Sequence, residues 1–263
     1  MNILKKKFDF SVSTGGVKFL PFESTIKSFS KNNINNIAFN LTPIIDNKIK
    51  INNAKSIMED NNIFCSMLDG GWCDFINKDN FNNKTKKSIK NQVKIAHILN
   101  TNKIRLFFGK FNKDMSQEIL ESCIYNIDSI CTMYPNINFV FENENGISTN
   151  LDFLSSIISN VSNKNFGINF DTVNFERNKI NPLEAYYKLK SKIQHFHIKS
   201  KIKNKIVEYG IGDSKIDEII QIAINEKIFN SFSIEYEGDK NRLKMLTKSA
   251  YLLQERLDNG YFK

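Results

Sequence analysis

Apolar residues along this chain follow two spacings in turn, a period of two and a period near 3.6, and the spacing switches about eight times. Short alternating or continuous apolar runs over 8–13, 36–41, 62–68, 103–108, 137–142, 167–171, 194–199 and 231–236 read as buried strands. Helical spacing fills the intervals, over 21–30, 53–61, 86–99, 114–133, 151–161 and 182–190, then from a cap at Asp213 or Ser214 to 225, and over 240–257. Ile89, Val93, Ala96 and Leu99 show the pattern, as do Leu243, Leu246, Ala250, Leu253 and Leu257. Residues 79–85 read as a polar loop. No hairpin signal joins consecutive strands, so they must run parallel, with each helix as a crossover. Eight such units in 263 residues predict an α/β fold, a single (β/α)8 TIM barrel forming one domain over 1–263. No glycine fingerprint follows the first strand, which disfavours an open dinucleotide-binding sheet.

Composition changes this picture little. The chain is 41% hydrophobic, ample for a core, yet no apolar run of about 20 residues is present, so no membrane partner is expected. Basic residues 1–7 lead into Phe8-Asp9-Phe10-Ser11 rather than a signal core, and Cys65, Cys73, Cys123 and Cys131 lack metal or disulfide spacing. A cytoplasmic location with reduced thiols is the expectation. The formal charge is +9, but the lysines are scattered among asparagines and isoleucines, as in Asn47-Lys48-Ile49-Lys50. That scatter reflects composition, and no nucleic-acid partner is expected.

The chemistry begins with the histidines. Of three, two lie in Gln194-His195-Phe196-His197-Ile198-Lys199. In a strand, His195, His197 and Lys199 share one face while Phe196 and Ile198 share the other. His97 falls within a helix and reads as structural. In a barrel, function gathers where strands end. Those positions hold Glu142, Asp171, His197 and Glu235, on the fifth to eighth strands. Three buried carboxylates repel one another, and a divalent cation removes that cost. Oxygen ligands plus one imidazole suit Mn²⁺, Mg²⁺ or Co²⁺, with Zn²⁺ also compatible.

The segments Phe141-Glu142-Asn143-Glu144-Asn145, Gly167-Ile168-Asn169-Phe170-Asp171-Thr172-Val173-Asn174, His195-Phe196-His197-Ile198-Lys199, Gly210-Ile211-Gly212 and Ser233-Ile234-Glu235-Tyr236-Glu237 resemble the xylose-isomerase-like TIM-barrel superfamily of sugar (phosphate) isomerases and epimerases. The resemblance implies one divalent metal held by Glu142, Asp171, His197 and Glu235. It implies a carbohydrate substrate and a proton shuffle beside a ketose carbonyl, with Glu142 and Glu235 as the acid/base pair on opposite faces. Lys199, Asn174, His195 and Trp72 are the expected substrate contacts. Family members often form dimers or tetramers, so the resemblance also implies a homodimer.

The chain departs from the family pattern in its substrate contacts. Asn174 replaces a histidine often found three residues after the sixth-strand aspartate, Ser200 replaces an aspartate after Lys199, and Ser148 stands where some 3-epimerases carry another glutamate. An arginine expected after the seventh strand appears only as Lys201, Lys203 or Lys205. A dehydratase of the inosose-dehydratase kind, sharing the metal and the enolising step, is the principal alternative. A non-catalytic sugar-binding barrel is another. An endonuclease IV-type three-zinc nuclease is excluded, because three histidines cannot supply its ligands.

Overall fold

The computed structural model describes residues 8–109, 116–212, 215–239 and 241–260. Eight parallel strands close on themselves: β1 (Asp9–Ser13), β2 (Asn36–Asn40), β3 (Phe64–Asp69), β4 (Lys103–Leu106), β5 (Asn138–Glu142), β6 (Phe166–Asp171), β7 (Ile193–Ile198) and β10 (Ser231–Ile234). Between β7 and β10 the chain inserts a small antiparallel hairpin, β8 (Ser200–Ile202) and β9 (Lys205–Val207). Closure pairs β1 with β10 in parallel, from Asp9 with Ser231 to Val12 with Ile234. The predicted barrel is therefore the observed one.

Alternation within each strand sends one set of side chains to the helices and the other to the barrel axis. On β6, Phe170 faces outward and packs edge-on against Tyr186 and Phe196, with ring centroids 6.2 and 5.9 Å away. Gly167, Asn169 and Asp171 share the inner face. The interior is divided. Ala38, Met67 and Val140 form a small apolar cluster on one side. Ser11, His195 and Ser233 form a polar file on the other, where branched aliphatics usually dominate.

The many asparagines have a structural use. Helices Phe22–Lys31, Ile51–Asp60 and Lys86–Ile98 are each followed by an asparagine in the left-handed conformation: Asn33 (φ 57°), Asn62 (φ 54°) and Asn100 (φ 56°). Asn150 caps helix Leu151–Asn160 by accepting from the amides of Asp152 and Phe153, and Ser116 caps helix Gln117–Met133.

Residues 79–85 are helical rather than a loop, with a short helix Lys78–Asn80 running into a π-turn Phe81–Thr85. Asn77 caps its start, and Phe81 buries its ring 5.4 Å from Phe75, so tertiary burial outweighs the polar composition. The proposed cap at Asp213 or Ser214, and the predicted helix starts at Asp114 and Lys240, lie outside the described residues; the corresponding helices are described from Ile216, Gln117 and Arg242. No helix among the described residues is long and apolar enough to cross a membrane.

Candidate metal centre

Glu142 and Asp171 end β5 and β6, His197 stands one residue before the end of β7, and Glu235 follows β10 directly. These strands are consecutive staves of the barrel, with Asp171 in register with His197 and His197 with Ser233. The inward face of each thus delivers its side chain to one place. One ligand-type atom from each residue lies within 4.8 Å of all the others, and all four residues are buried. The set expected from strand ends is brought together.

The charges are balanced at close range. His197 Nδ1 lies 3.0 Å from Glu142 Oε1 and 3.3 Å from Glu235 Oε2. Lys199 Nζ lies 3.0 Å from Asp171 Oδ2, 2.9 Å from Glu235 Oε2 and 3.1 Å from Glu237 Oε2. Burial pushes the Glu235 carboxyl up, but Lys199 and His197 together outweigh it and hold the group well below the usual range. Glu142 is lowered in the same way, with burial opposed by His197 and Arg105. Burial disfavours the His197 imidazolium, yet Glu142 and Glu235 raise it well above its ordinary value. At Asp171 burial prevails over Lys199, and the carboxyl is raised to about 6.

This donor set fits a hard or borderline divalent ion. Three carboxylates and a ring nitrogen already converge, and the cations now among them are the chain's own. Asp171 is held from both sides: its Oδ1 accepts from the amide of Asn174 (3.0 Å), and its peptide N–H and C=O bond the Asn143 side chain at 2.8 Å each. Gly15 lies close under the cluster: a Cβ there would come within 2.7 Å of Glu235 Oε1 and push that carboxylate aside.

A cavity of about 560 Å³ opens over the cluster, lined by Lys199, Asn174, Trp72, Arg105, Glu144 and Arg177 among others. Trp72 is 45% exposed beside Phe107, with ring centroids 6.0 Å apart. His195 is not brought to this cavity. Its ring lies lower in the barrel, with Nδ1 and Nε2 each 2.9 Å from a serine hydroxyl, of Ser231 and Ser233. Burial, aided by Lys103, keeps it far below its ordinary value and therefore neutral. Ser148 caps a turn by accepting from the amides of Glu144 and Asn145, and Lys201 pairs with Glu176 at 3.0 Å.

Two residues of the centre escaped the sequence reading. Asp69 ends β3 and is fully buried, and it meets the same strand-end criterion as the four clustered residues. Arg105, 5% exposed, lies with its Nε 3.3 Å from Glu142 Oε2 and 3.6 Å from Asp69 Oδ1, and its Cζ stands 4.1 Å above the Phe107 ring. Its signal was a second cation, two residues after Lys103, on the inner face of an otherwise apolar strand.

Comparison with known proteins agrees with this fold. A 3-dehydroshikimate dehydratase of Bacillus anthracis is 29% identical over 121 residues, which cover 44% of this chain and 43% of that one, so the chain matches less than half of that relative's length. The solved structure of the probable 3-DHS dehydratase AsbF of Bacillus anthracis superposes with a TM-score of 0.79 at 20% identity, covering 95% of this chain and 100% of the other. D-psicose 3-epimerase of Clostridium cellulolyticum, solved with D-tagatose, gives 0.74 at 13% identity, covering 94% and 97%. Structural likeness at such identities shows the fold. Residues 30–256 match the family profile itself, and the chain belongs to the xylose isomerase-like TIM barrel family.

Proposed function

We propose that this barrel is a metal-dependent isomerase or epimerase that moves a proton on the carbon beside the carbonyl of a polyhydroxylated ketone. One observation carries the reading: Glu142 and Glu235, both buried and both held ionised, flank His197 within the four-residue cluster at the floor of the cavity. Simple sugar binding needs no such acid/base pair.

A divalent ion held by Glu142, Asp171, His197 and Glu235 (Mn²⁺, Mg²⁺ or Co²⁺, with Zn²⁺ compatible) would polarise the substrate carbonyl as a Lewis acid and acidify the adjacent C–H. Glu235 or Glu142, as the carboxylate, takes that proton; the other, once it has picked up a proton from solvent, returns one as the carboxylic acid, and the two groups re-equilibrate with water between turnovers. Return to the opposite face of the same carbon inverts it; return to the neighbouring carbon isomerises. Lys199 offers an ammonium to an oxygen that gains negative charge. Asn174 offers an amide to a hydroxyl, and Trp72 a flat apolar face to a ring.

The second reading is a dehydratase, in which the same proton abstraction is followed by loss of a hydroxyl from the next carbon. A specific feature favours it. The Arg105 guanidinium is almost wholly buried in the cavity wall, and its Nη1 has no hydrogen-bond partner among the described residues. A planar cation placed there suits an acidic substituent better than a neutral sugar. The partial sequence match to a dehydratase points the same way.

The test is solvent exchange in D₂O on ketoses, ketose phosphates and hydroxylated cyclic ketones with and without a carboxylate. The expected result is metal-dependent deuterium entry beside the carbonyl, abolished by EDTA and cut at least about 100-fold by Glu142→Gln or Glu235→Gln in folded protein. Elimination of water instead selects the dehydratase. Neither reaction with any member of the panel would leave a binding barrel.

A further inference from the structure

Six buried side chains close a ring around the centre. Ser13 Oγ lies 2.9 Å from Asp69 Oδ2 and 3.2 Å from Glu235 Oε1, so its single proton is shared between two carboxylates. Arg105 Nε spans Asp69 Oδ1 (3.6 Å) and Glu142 Oε2 (3.3 Å). His197 Nδ1 spans Glu142 Oε1 and Glu235 Oε2. The circuit therefore runs Ser13, Asp69, Arg105, Glu142, His197, Glu235 and back to Ser13, and no member is more than 7% exposed.

Asp69 occupies a singular place in this circuit. It lies outside the four-residue cluster, yet it reaches Glu142 through a cation and Glu235 through a hydroxyl, by two unrelated partners. We infer that Asp69 is a positioning residue that fixes the spacing of Glu142 and Glu235 by holding Arg105 and Ser13. The role rests on the reading of the cluster as a metal centre with two proton-transferring carboxylates.

The physical argument is one of competition. An arginine beside a carboxylate metal ligand is a rival for that ligand. Asp69 draws part of the guanidinium away, leaving Glu142 shared rather than captured. On the other side, Ser13 can orient Glu235 Oε1 only while its own position is set by Asp69. Removing the Asp69 charge releases Arg105 onto Glu142 and unfixes the Ser13 hydroxyl that orients Glu235 Oε1, so both ligands are disturbed at once. A counter-ion serving Arg105 alone would disturb only Glu142, and the Ser13 side would behave independently.

The experiment titrates Mn²⁺ into the metal-free protein and its variants, reading the dissociation constant by calorimetry and the bound-ion environment by electron paramagnetic resonance. Asp69→Asn keeps the shape and removes the charge. It should weaken Mn²⁺ binding by about tenfold or more and alter the bound-ion spectrum. Ser13→Ala should weaken it severalfold, and the double variant should be no weaker than Asp69→Asn, because Ser13 acts through Asp69. Wild-type affinity and spectrum in Asp69→Asn, or fully additive losses in the double variant, would overturn the inference while leaving the metal centre intact. If Asp69→Asn does not fold, Ser13→Ala decides alone: unchanged affinity refutes the ring. A wild-type protein that binds none of Mn²⁺, Mg²⁺, Co²⁺ and Zn²⁺ overturns the functional reading, and this role with it.

Discussion

His197 turns its Nδ1 to within 3.0 Å of Glu142 Oε1, so two side chains that would both serve as metal ligands are paired with each other. The pair stabilises itself in a form that an incoming ion must undo.

That competition makes metal affinity pH-dependent. The His197 pKa is raised well above its ordinary value, so the metal-free centre carries the imidazolium at neutral pH. Binding must expel this proton. Affinity should therefore climb with pH by about tenfold per unit, and level off above the raised pKa. The stability of the metal-free protein runs the other way. A raised histidine contributes stabilisation that is complete below its unfolded value and is lost as pH rises through its folded one. Mn²⁺ titrations and thermal melts from pH 6 upward test both slopes. An affinity independent of pH would mean that the imidazole is already neutral.

The outer layer of the barrel depends on Phe141. Its ring lies 4.9 Å from both Phe75 and Phe108 and 5.6 Å from Phe166, fully buried between β5 and the surrounding elements. Phe141→Ala removes a neighbour from all three and leaves a cavity that rigid strands cannot close. A loss of about 3–5 kcal/mol in urea unfolding is expected. Because Glu142 is the next residue, metal affinity should also fall; a destabilised variant with wild-type affinity would show that the strand end is held independently of its packing.

All four thiols should be silent in the native protein. Burial pushes Cys65 up to about 12, Cys131 to about 12 and Cys73 to about 11, with a Gln92 hydrogen bond offsetting part of the rise at Cys73, and burial raises Cys123 as well. The reactive thiolate is therefore scarce even at pH 9. A chromogenic disulfide reagent should leave the native chain untouched and titrate four thiols after denaturation. Rapid reaction of any native thiol would show local opening around it.

Strand ends were legible because a two-residue period states which side chains share a face, and a barrel brings the same end of every strand to one rim. Hence Glu142, Asp171, His197 and Glu235 could be named from spacing. Asp69 obeys the same rule, but Gly70-Gly71 after it draws the legible strand boundary back to Leu68, one residue short of the observed end. The hairpin Ser200–Ile202 with Lys205–Val207 gave no signal, since its turn places Lys203 (φ 54°) where a glycine or asparagine usually marks the left-handed position. His195 shows the limit most plainly: alternation put it on the inner face beside His197, but its depth along the axis was not written there.

What the chain alone determined was periodicity: eight parallel strands, their inner faces, and the chemical character of each end. What only the tertiary structure decided was which inner faces meet. Barrel closure brings Ser11 to Ser233 and Ser13 to Glu235, each pair separated by 222 positions in the chain. Such contacts depend on strand tilt and stagger around the axis, a property of the closed sheet as a whole. No local pattern encodes it, so the partners of His195, Arg105 and Asp69 emerge only once the last strand pairs with the first.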